Sequence, residues 1–78
     1  MKGLSDVKKG SSAIIKRLDC KGAIRQRLID LGIFEGEKIK VIALAPLCDP
    51  IIIEVKGCLM AIRKNNAGKI IVEEEENV

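Results

Sequence analysis

The chain is almost without aromatic side chains: its 78 residues include no Trp, no Tyr and a single Phe, Phe34. Grooves that hold proline-rich peptides, cages that hold methylated lysine and sheets that stack single-stranded bases all depend on aromatic faces. One phenylalanine cannot build any of them. The composition therefore disfavours these three classes of binding module.

Histidine is absent altogether, so the usual general base of nucleophilic catalysis is missing. Serines and cysteines are present, but they have no partner of that kind. No Walker-type Lys-Ser/Thr pair and no G-x-G-x-x-G pattern occurs along the chain, so a phosphate-binding loop is not predicted either. We expect a protein that is not an enzyme, with no catalytic residues and no cofactor.

Cysteines are few, odd in number and widely spaced, at Cys20, Cys48 and Cys58, with no C-x-x-C pair. This pattern supports neither a disulfide framework nor a zinc site. The favoured interpretation is that they are small hydrophobic side chains in a reducing cytosol. A soft-metal or redox role is the alternative, and no metal ligands are predicted.

Long apolar runs are lacking too, since none approaches the roughly 18 residues that span a bilayer. The N-terminal stretch MKGLSDVKKG has neither the apolar region of a signal peptide nor an arginine-rich transit pattern. The sequence therefore predicts a cytoplasmic protein that does not insert into a membrane.

Charge is unevenly distributed. The formal net charge is +3, but all 14 Lys and Arg precede residue 70, while four of the 11 acidic residues are Glu73 to Glu76. A basic body with an acidic tail indicates either an acidic partner surface or simply a solvated coat. We expect one domain over residues 1–78, with 73–78 a frayed acidic tail.

One short helix is predicted by Ile24, Leu28 and Leu31, which fall at i, i+4 and i+7 and form an apolar stripe. Gly32 suits the left-handed position that ends a helix, and Ile33 supplies the apolar contact that often follows it. We therefore expect the helix to end at Leu31 or Gly32, with Leu28 and Leu31 in the core. Upstream, Asp19 is the candidate for its N-cap.

Five short strands are predicted around this helix. Alternating apolar residues place them at 11–18, 37–45, 51–56, 59–63 and 70–72. A two-proline loop separates the second strand from the third, residues 4–7 form a helical turn or an extended arm, and 65–68 form a turn or a single helical turn. Five strands with one helix after the first favour a mainly β fold, a small curled sheet or barrel. A ferredoxin-like fold is the alternative, but it needs a second substantial helix.

Four segments carry a resemblance to a known family: RQRLIDLGIFEG from Arg25, IKV from Ile39, APLCDP from Ala45 and AIRK from Ala61. Together they resemble the ferrous iron transport protein A (FeoA) family over nearly the whole chain, from Leu4 to Val72. The resemblance implies an SH3-like barrel, found in bacteria as a small cytosolic accessory of the ferrous iron permease FeoB, whose cytoplasmic part binds GTP. It carries no agreed iron ligands onto these residues.

Cys48 departs from the family pattern, in which this loop usually resembles APLGDP. Cys48 and Leu47 are candidates for an exposed contact with a partner, with anchoring of the loop as the alternative. Arg25 and Arg27 lie off the apolar stripe and are candidates for an acidic patch or nucleotide phosphates on a partner, with an exposed helix face as the alternative. We expect Arg63 to pair with a nearby carboxylate.

Three functions are consistent with the sequence. The favoured one is an adaptor that binds the cytoplasmic part of the FeoB permease and modulates GTP-linked iron transport. The second is a metal-responsive domain resembling the C-terminal module of metal-dependent repressors, and the third an RNA-binding barrel. Self-association through an open barrel edge is left open, and no direct contact with nucleic acid is expected in the favoured case.

Overall fold

Six antiparallel strands form one sheet in the computed structural model, which describes residues 1–75 except for the Cys48 side chain. The spatial order is β1-β6-β2-β3-β4-β5, so β1 and β5 lie at the two ends. The strand bounds are Lys2–Gly3 for β1, Ser12–Leu18 for β2, Lys38–Leu44 for β3, Ile51–Val55 for β4, Cys58–Ile62 for β5 and Ile70–Glu74 for β6. The prediction of a small, mainly β domain with a short helix after the first long strand is confirmed.

Strand β1 was not predicted as a strand. Lys2 and Gly3 pair with Val72 and Ile71 of β6. Of the two alternatives for 4–7, a helical turn or an extended arm, the structure has the turn, a single 3-10 turn at Leu4–Asp6. A strand of two residues is too short to show an alternating pattern in the sequence. β1 is a strand only because it pairs with β6, 70 residues later in the chain.

The core is aliphatic and is supplied mainly by alternate residues of four strands. Ala13 and Ile15 of β2, Ile39 and Val41 of β3, Ile51, Ile53 and Val55 of β4, and Ile70 and Val72 of β6 are all buried. Because side chains alternate along a strand, each of these sets points to one face of the sheet. In β3 the register shifts between Val41 and Ala43, which accounts for the apolar residues on both sides at the end of this strand.

Helix α1, Gly22–Asp30, is terminated at Gly32 in the predicted way, although its last helical residue is Asp30 and not Leu31 or Gly32. Gly32 has φ +92°, its N–H donates to the Ile29 carbonyl at 2.9 Å, and the Ile33 N–H donates to the Leu28 carbonyl at 2.9 Å. This pair of hydrogen bonds is a Schellman motif, and the buried side chains of Ile33 and Leu28 belong to the same core cluster. A second helix, α2, spans only Lys64–Ala67.

Two predictions for α1 are wrong. Leu28 is buried, at 4% exposed, but Leu31 is 43% and Ile24 41% exposed, so Leu31 is not a core residue. The apolar stripe exists, but only its middle member lies against the sheet. Asp19 is not the N-cap either: that position is Lys21, without a side-chain hydrogen bond, and the Asp19 carboxylate accepts hydrogen bonds from Arg17 instead.

The acidic C-terminal run differs from the predicted frayed tail at its beginning. Glu73 and Glu74 belong to β6, and Glu74 pairs with Lys2, whose hydrogen bond to the carboxylate lowers the pKa of Glu74 below its ordinary value. Glu75 lies 3.3 Å from the Lys38 ammonium. Lysines on neighbouring strands therefore hold the first part of this run, and residues 76–78 lie outside the described part of the chain.

Neither α1 nor α2 is long enough to span a membrane, and within residues 1–75 no helix combines the length and the hydropathy that a span requires.

Candidate interaction surface

A groove of about 160 Å³ runs between α1 and the C-terminal end of β5. Its walls come from α1 on one side and from β5 and the residues that follow it on the other: Ile24, Arg27, Leu28, Leu31, Ala61, Ile62, Arg63 and Asn66. Pockets for drug-sized ligands usually measure about 300 Å³ or more. This groove is therefore better suited to side chains of a docking protein than to a cofactor.

The α1 wall of the groove is apolar and open to solvent. Ile24 and Leu31 each leave more than a third of their side-chain area exposed, while Leu28 between them is buried in the core. Leu28 anchors the helix, and its two neighbours on the stripe face the groove. An exposed aliphatic pair beside an arginine is typical of a protein-binding site.

Two arginines frame this apolar wall. Arg27 lies on α1, and Arg63 follows the last residue of β5. Arg63 lies 3.9 Å from the Asp49 carboxylate, which confirms the expected pairing with a nearby acid. Arg27 makes no ion pair with any carboxylate of residues 1–75. The groove therefore offers positive charge that no carboxylate in this part of the chain fully neutralises.

The two-proline loop meets the groove at Arg63. Besides its pair with Arg63, the Asp49 carboxylate accepts a hydrogen bond from the Lys64 N–H at 3.0 Å, which ties the loop to the start of α2. The Asp49–Pro50 peptide bond is cis. Two residues before Asp49, the Leu47 side chain is 94% exposed, and its backbone has φ +65°, a conformation that leucine rarely adopts.

The four predicted partner-binding residues are thus distributed over two elements, α1 and the two-proline loop. Arg27 lines the groove, whereas Arg25 is exposed on the same helix but does not line it. Leu47 stands out from the loop, and the side chain of Cys48 is outside the described part of the structure. Their role in binding a partner stays a prediction.

Sequence reasoning missed Ile24, Leu31 and Ala61 as surface residues. The apolar repeat predicts that Ile24 and Leu31 belong to one buried stripe, and the strand pattern does not distinguish Ala61 from its neighbours. One signal was available: the segment CLMAI at 58–62 has no charged residue, which is unusual for a strand at the edge of a sheet. Periodicity alone could not identify that edge.

Several charges away from the groove form ion pairs with one another. The Arg17 guanidinium donates to the Asp19 carboxylate at 2.7 Å, and this hydrogen bond lowers the pKa of Asp19 and raises that of Arg17. A shallow depression over β3 and β4 is lined by three lysines and two glutamates, of which Lys56 and Glu37 lie 3.4 Å apart. Such a mixed surface lacks the continuous positive stripe that phosphates would favour.

Among residues 1–75 no group of three or more Cys, Asp or Glu side chains is arranged to hold a metal ion. Cys20 is half-buried, Cys58 is exposed, and both are free thiols.

The fold defines a small, mainly β domain that carries an aliphatic, arginine-framed groove. The model of the FeoA domain matches residues 2–74. The chain belongs to the FeoA family, as its sequence motifs predict.

Two relatives place the chain more closely. It is 40% identical over 73 residues to a putative Fe(2+) transport protein A of Methanocaldococcus jannaschii, covering 94% of this chain and 87% of that protein. It is 34% identical over 70 residues to an Fe(2+) transport protein A/Fe(2+) transporter FeoB fusion protein of Porphyromonas gingivalis. That match covers 90% of this chain but only 8% of the fusion protein.

Solved structures share the fold. The solution structure of iron(II) transport protein A from Clostridium thermocellum superposes with a TM-score of 0.87 at 38% identity, over 94% of this chain and 44% of that one. A zinc complex of FeoA from Stenotrophomonas maltophilia, described as a prokaryotic SH3 domain protein, gives 0.84 at 26% identity over 96% of both chains. These neighbours confirm the predicted SH3-like barrel. A manganese-dependent transcriptional repressor gives 0.86 at 17% identity over 95% of this chain and 36% of that one, a likeness of fold alone.

Proposed function

We propose that this chain is a small cytoplasmic accessory protein of ferrous iron uptake, which binds the cytoplasmic part of a FeoB-type permease and modulates its GTP-linked transport without catalysing a reaction. The observation that carries the proposal is the fusion protein, in which a domain 34% identical to this chain is joined to a FeoB transporter. Domains that are fused in one organism commonly act together when they are separate chains.

The groove between α1 and β5 supports a binding role. Its exposed Ile24 and Leu31 supply apolar area, and Arg27 and Arg63 supply charge-assisted donors for carboxylates or phosphates. Interfaces combine an apolar centre with arginines at its margin. Arg25 extends this surface by long-range electrostatic attraction, and Leu47 by an exposed apolar contact. Cys48 stays a candidate beside Leu47.

The direct test is chemical-shift mapping of the isotope-labelled chain with the purified cytosolic part of a FeoB permease, with GTP, with GDP and without nucleotide. We expect saturable shifts at Arg27, Leu31 and Leu47. Absence of binding in all three nucleotide conditions, by this method and by calorimetry, would refute the proposal.

Two charge reversals on α1 make the map specific. Arg27→Glu and Arg25→Glu change the net charge equally on the same helix, but only Arg27 lines the groove. We expect Arg27→Glu to weaken the affinity for the permease about tenfold or more, because it removes a charge-assisted hydrogen bond worth about 1.5 to 3 kcal/mol. Arg25→Glu should lose no more than a few-fold. Equal losses would mean that only net charge matters.

Leu47→Gly separates binding from folding. Glycine adopts the observed φ of +65° without the steric cost of a Cβ atom, so the fold should lose no stability. The 94% exposed leucine side chain disappears, and we expect weaker binding to the permease. Unchanged affinity would exclude Leu47 from the surface.

A further inference from the structure

Strand β5 has an outer edge that pairs with no strand of residues 1–75. It is the last strand of the sheet, and its other edge pairs with β4. The two strands are joined by a two-residue turn, Lys56 at φ +52° and Gly57 at φ +80°, a combination typical of a type I′ hairpin. In such a hairpin the flanking residues Val55 and Cys58 form a hydrogen-bonded pair, so the register of the whole strand is fixed.

Register decides which backbone groups face outward. Hydrogen-bonded and non-hydrogen-bonded pairs alternate in an antiparallel ladder, and Val55 pairs with Cys58, Glu54 with Leu59, Ile53 with Met60 and Ile52 with Ala61. The N–H and C=O groups of Leu59 and Ala61 therefore point away from β4. No loop among residues 1–75 supplies them with a backbone hydrogen bond.

This edge also lacks the usual protection. Native proteins cover or blunt an edge strand with lysine, proline, a bulge or a very short strand. At the other end of the sheet, β1 has two residues and carries Lys2. By contrast, β5 has five residues without charge or proline, and Leu59 is 63% exposed. The outward backbone groups thus lie beside exposed apolar side chains.

The groove continues from this edge toward α1. Ala61, whose N–H and C=O point outward, is also a wall of the groove, opposite Leu31 and Arg27. A chain that hydrogen-bonded to Ala61 would therefore bring its own side chains against the exposed apolar residues of α1. Backbone pairing gives affinity to such strand addition, and side-chain pockets give specificity.

We infer that β5 is a docking strand: an extended segment of the permease's cytoplasmic part adds to it as a further strand, lays an apolar side chain against Ile24 and Leu31, and presents a carboxylate to Arg27 and Arg63. This inference rests on the proposed function, for which it supplies the mode of binding and the chemistry of the bound segment.

Charge favours such a partner over a second copy of this chain. Symmetric pairing of two β5 edges would bring a strand without any carboxylate against Arg27, and would add Lys56 and Arg63 of each copy at the ends of the paired strands. A segment that carries an acidic residue matches the arginines instead.

Edge variants test the inference with the full chain and the cytosolic part of the permease. Ala61→Pro removes the outward N–H while leaving the hydrogen bonds of Met60 and Ile62 to β4 available. Leu59→Lys keeps every backbone group and places a charge on the edge, so it stays informative if the proline variant unfolds. We expect each to weaken the affinity about tenfold by calorimetry, with unchanged circular dichroism for the folded variants. Leu44→Lys, the same substitution at an exposed leucine of β3 that does not line the groove, is the control.

Amide hydrogen exchange supplies a direct readout. The Leu59 and Ala61 amides should exchange rapidly in the free chain and at least tenfold more slowly in the complex, whereas those of Met60 and Ile62 should be protected in both. Binding by the unmodified chain with no slowing at Leu59 and Ala61, or with full affinity in both edge variants, overturns the inference and leaves the proposed function standing. Slowing that depends only on the concentration of this chain points to a second copy and also overturns it. No binding by the unmodified chain refutes both.

Discussion

Replacing Gly32 by alanine tests the turn on which the orientation of α1 depends. Gly32 has φ +92° and occupies the left-handed position of the Schellman motif. An added Cβ would meet only the Val55 Cγ1 atom, at 3.9 Å, an ordinary van der Waals contact. The cost therefore comes from backbone conformation and not from a clash.

The magnitude follows from two opposing terms. A left-handed conformation costs an L-residue about 1 to 2 kcal/mol, and the smaller conformational freedom of alanine in the unfolded chain returns about 0.4 to 1 kcal/mol. We expect the free energy of unfolding to fall by about 1 kcal/mol. For a domain of this size, the melting temperature should fall by about 4 to 8 °C.

Gly68→Ala is the matched control. Gly68 has φ −63° and ψ −19°, which alanine adopts readily, and its added Cβ would lie 3.6 Å from the Ser5 hydroxyl oxygen. Because alanine is not strained at this position, the remaining effect is its smaller conformational freedom in the unfolded chain. The free energy of unfolding should therefore rise by about 0.4 to 1 kcal/mol.

Urea unfolding followed by far-ultraviolet circular dichroism is the appropriate assay, because the chain has no Trp or Tyr for fluorescence. With a slope of about 1 kcal/mol per M urea, the midpoint of Gly32→Ala should fall by about 1 M. A midpoint for Gly32→Ala equal to that of the unmodified chain, or an equal loss in Gly68→Ala, would refute the reasoning.

Further predictions concern the helix and the ion pair before it. Leu28→Ala should lower the free energy of unfolding by about 3 kcal/mol because it opens a cavity in the core. Leu31→Ala should lower it by less than about 1 kcal/mol but should weaken binding to the permease. Equal losses of stability in urea unfolding would contradict this prediction. Arg17 lowers the pKa of Asp19, so the ionised carboxylate stabilises the fold at neutral pH. This contribution to stability is lost in acid, as the pH falls from the ordinary carboxyl pKa, about 4, through the lowered pKa of Asp19. Asp19→Asn should therefore flatten the dependence of the urea midpoint on acid pH, and an unchanged slope would show that the pair is too well screened by solvent to matter.

Features set by short-range geometry were predictable from the sequence. The end of α1 depends on Gly32 and on two hydrogen bonds within five residues, so the position of one glycine after an apolar repeat is enough to locate it. The alternation of Ile51, Ile53 and Val55 similarly identifies both a strand and its buried face. In each case the signal and the structure lie in the same short segment.

Features that depend on distant segments were not predictable in the same way. Periodicity shows that Ile24, Leu28 and Leu31 share a face, but it does not show how much of that face the sheet covers. The failure of Asp19 as an N-cap is a local exception: the helix begins at Gly22 with Lys21 as its N-cap, and the Asp19 carboxylate bonds to Arg17 two residues away. Predicting the groove would require knowing the order of the strands, which places β5 at an end of the sheet, and knowing that α1 lies beside it.

The acidic residues at the end of β6 have a consequence for how a partner would approach. The carboxylates of Glu73, Glu74 and Glu75 are held near Lys16, Lys2 and Lys38 on three different strands, so they cancel much of the long-range field from that side of the barrel. The arginines of α1 are outside these pairs, so the helix keeps its positive charge. It would attract an acidic protein before contact, and the association rate would fall as ionic strength rises.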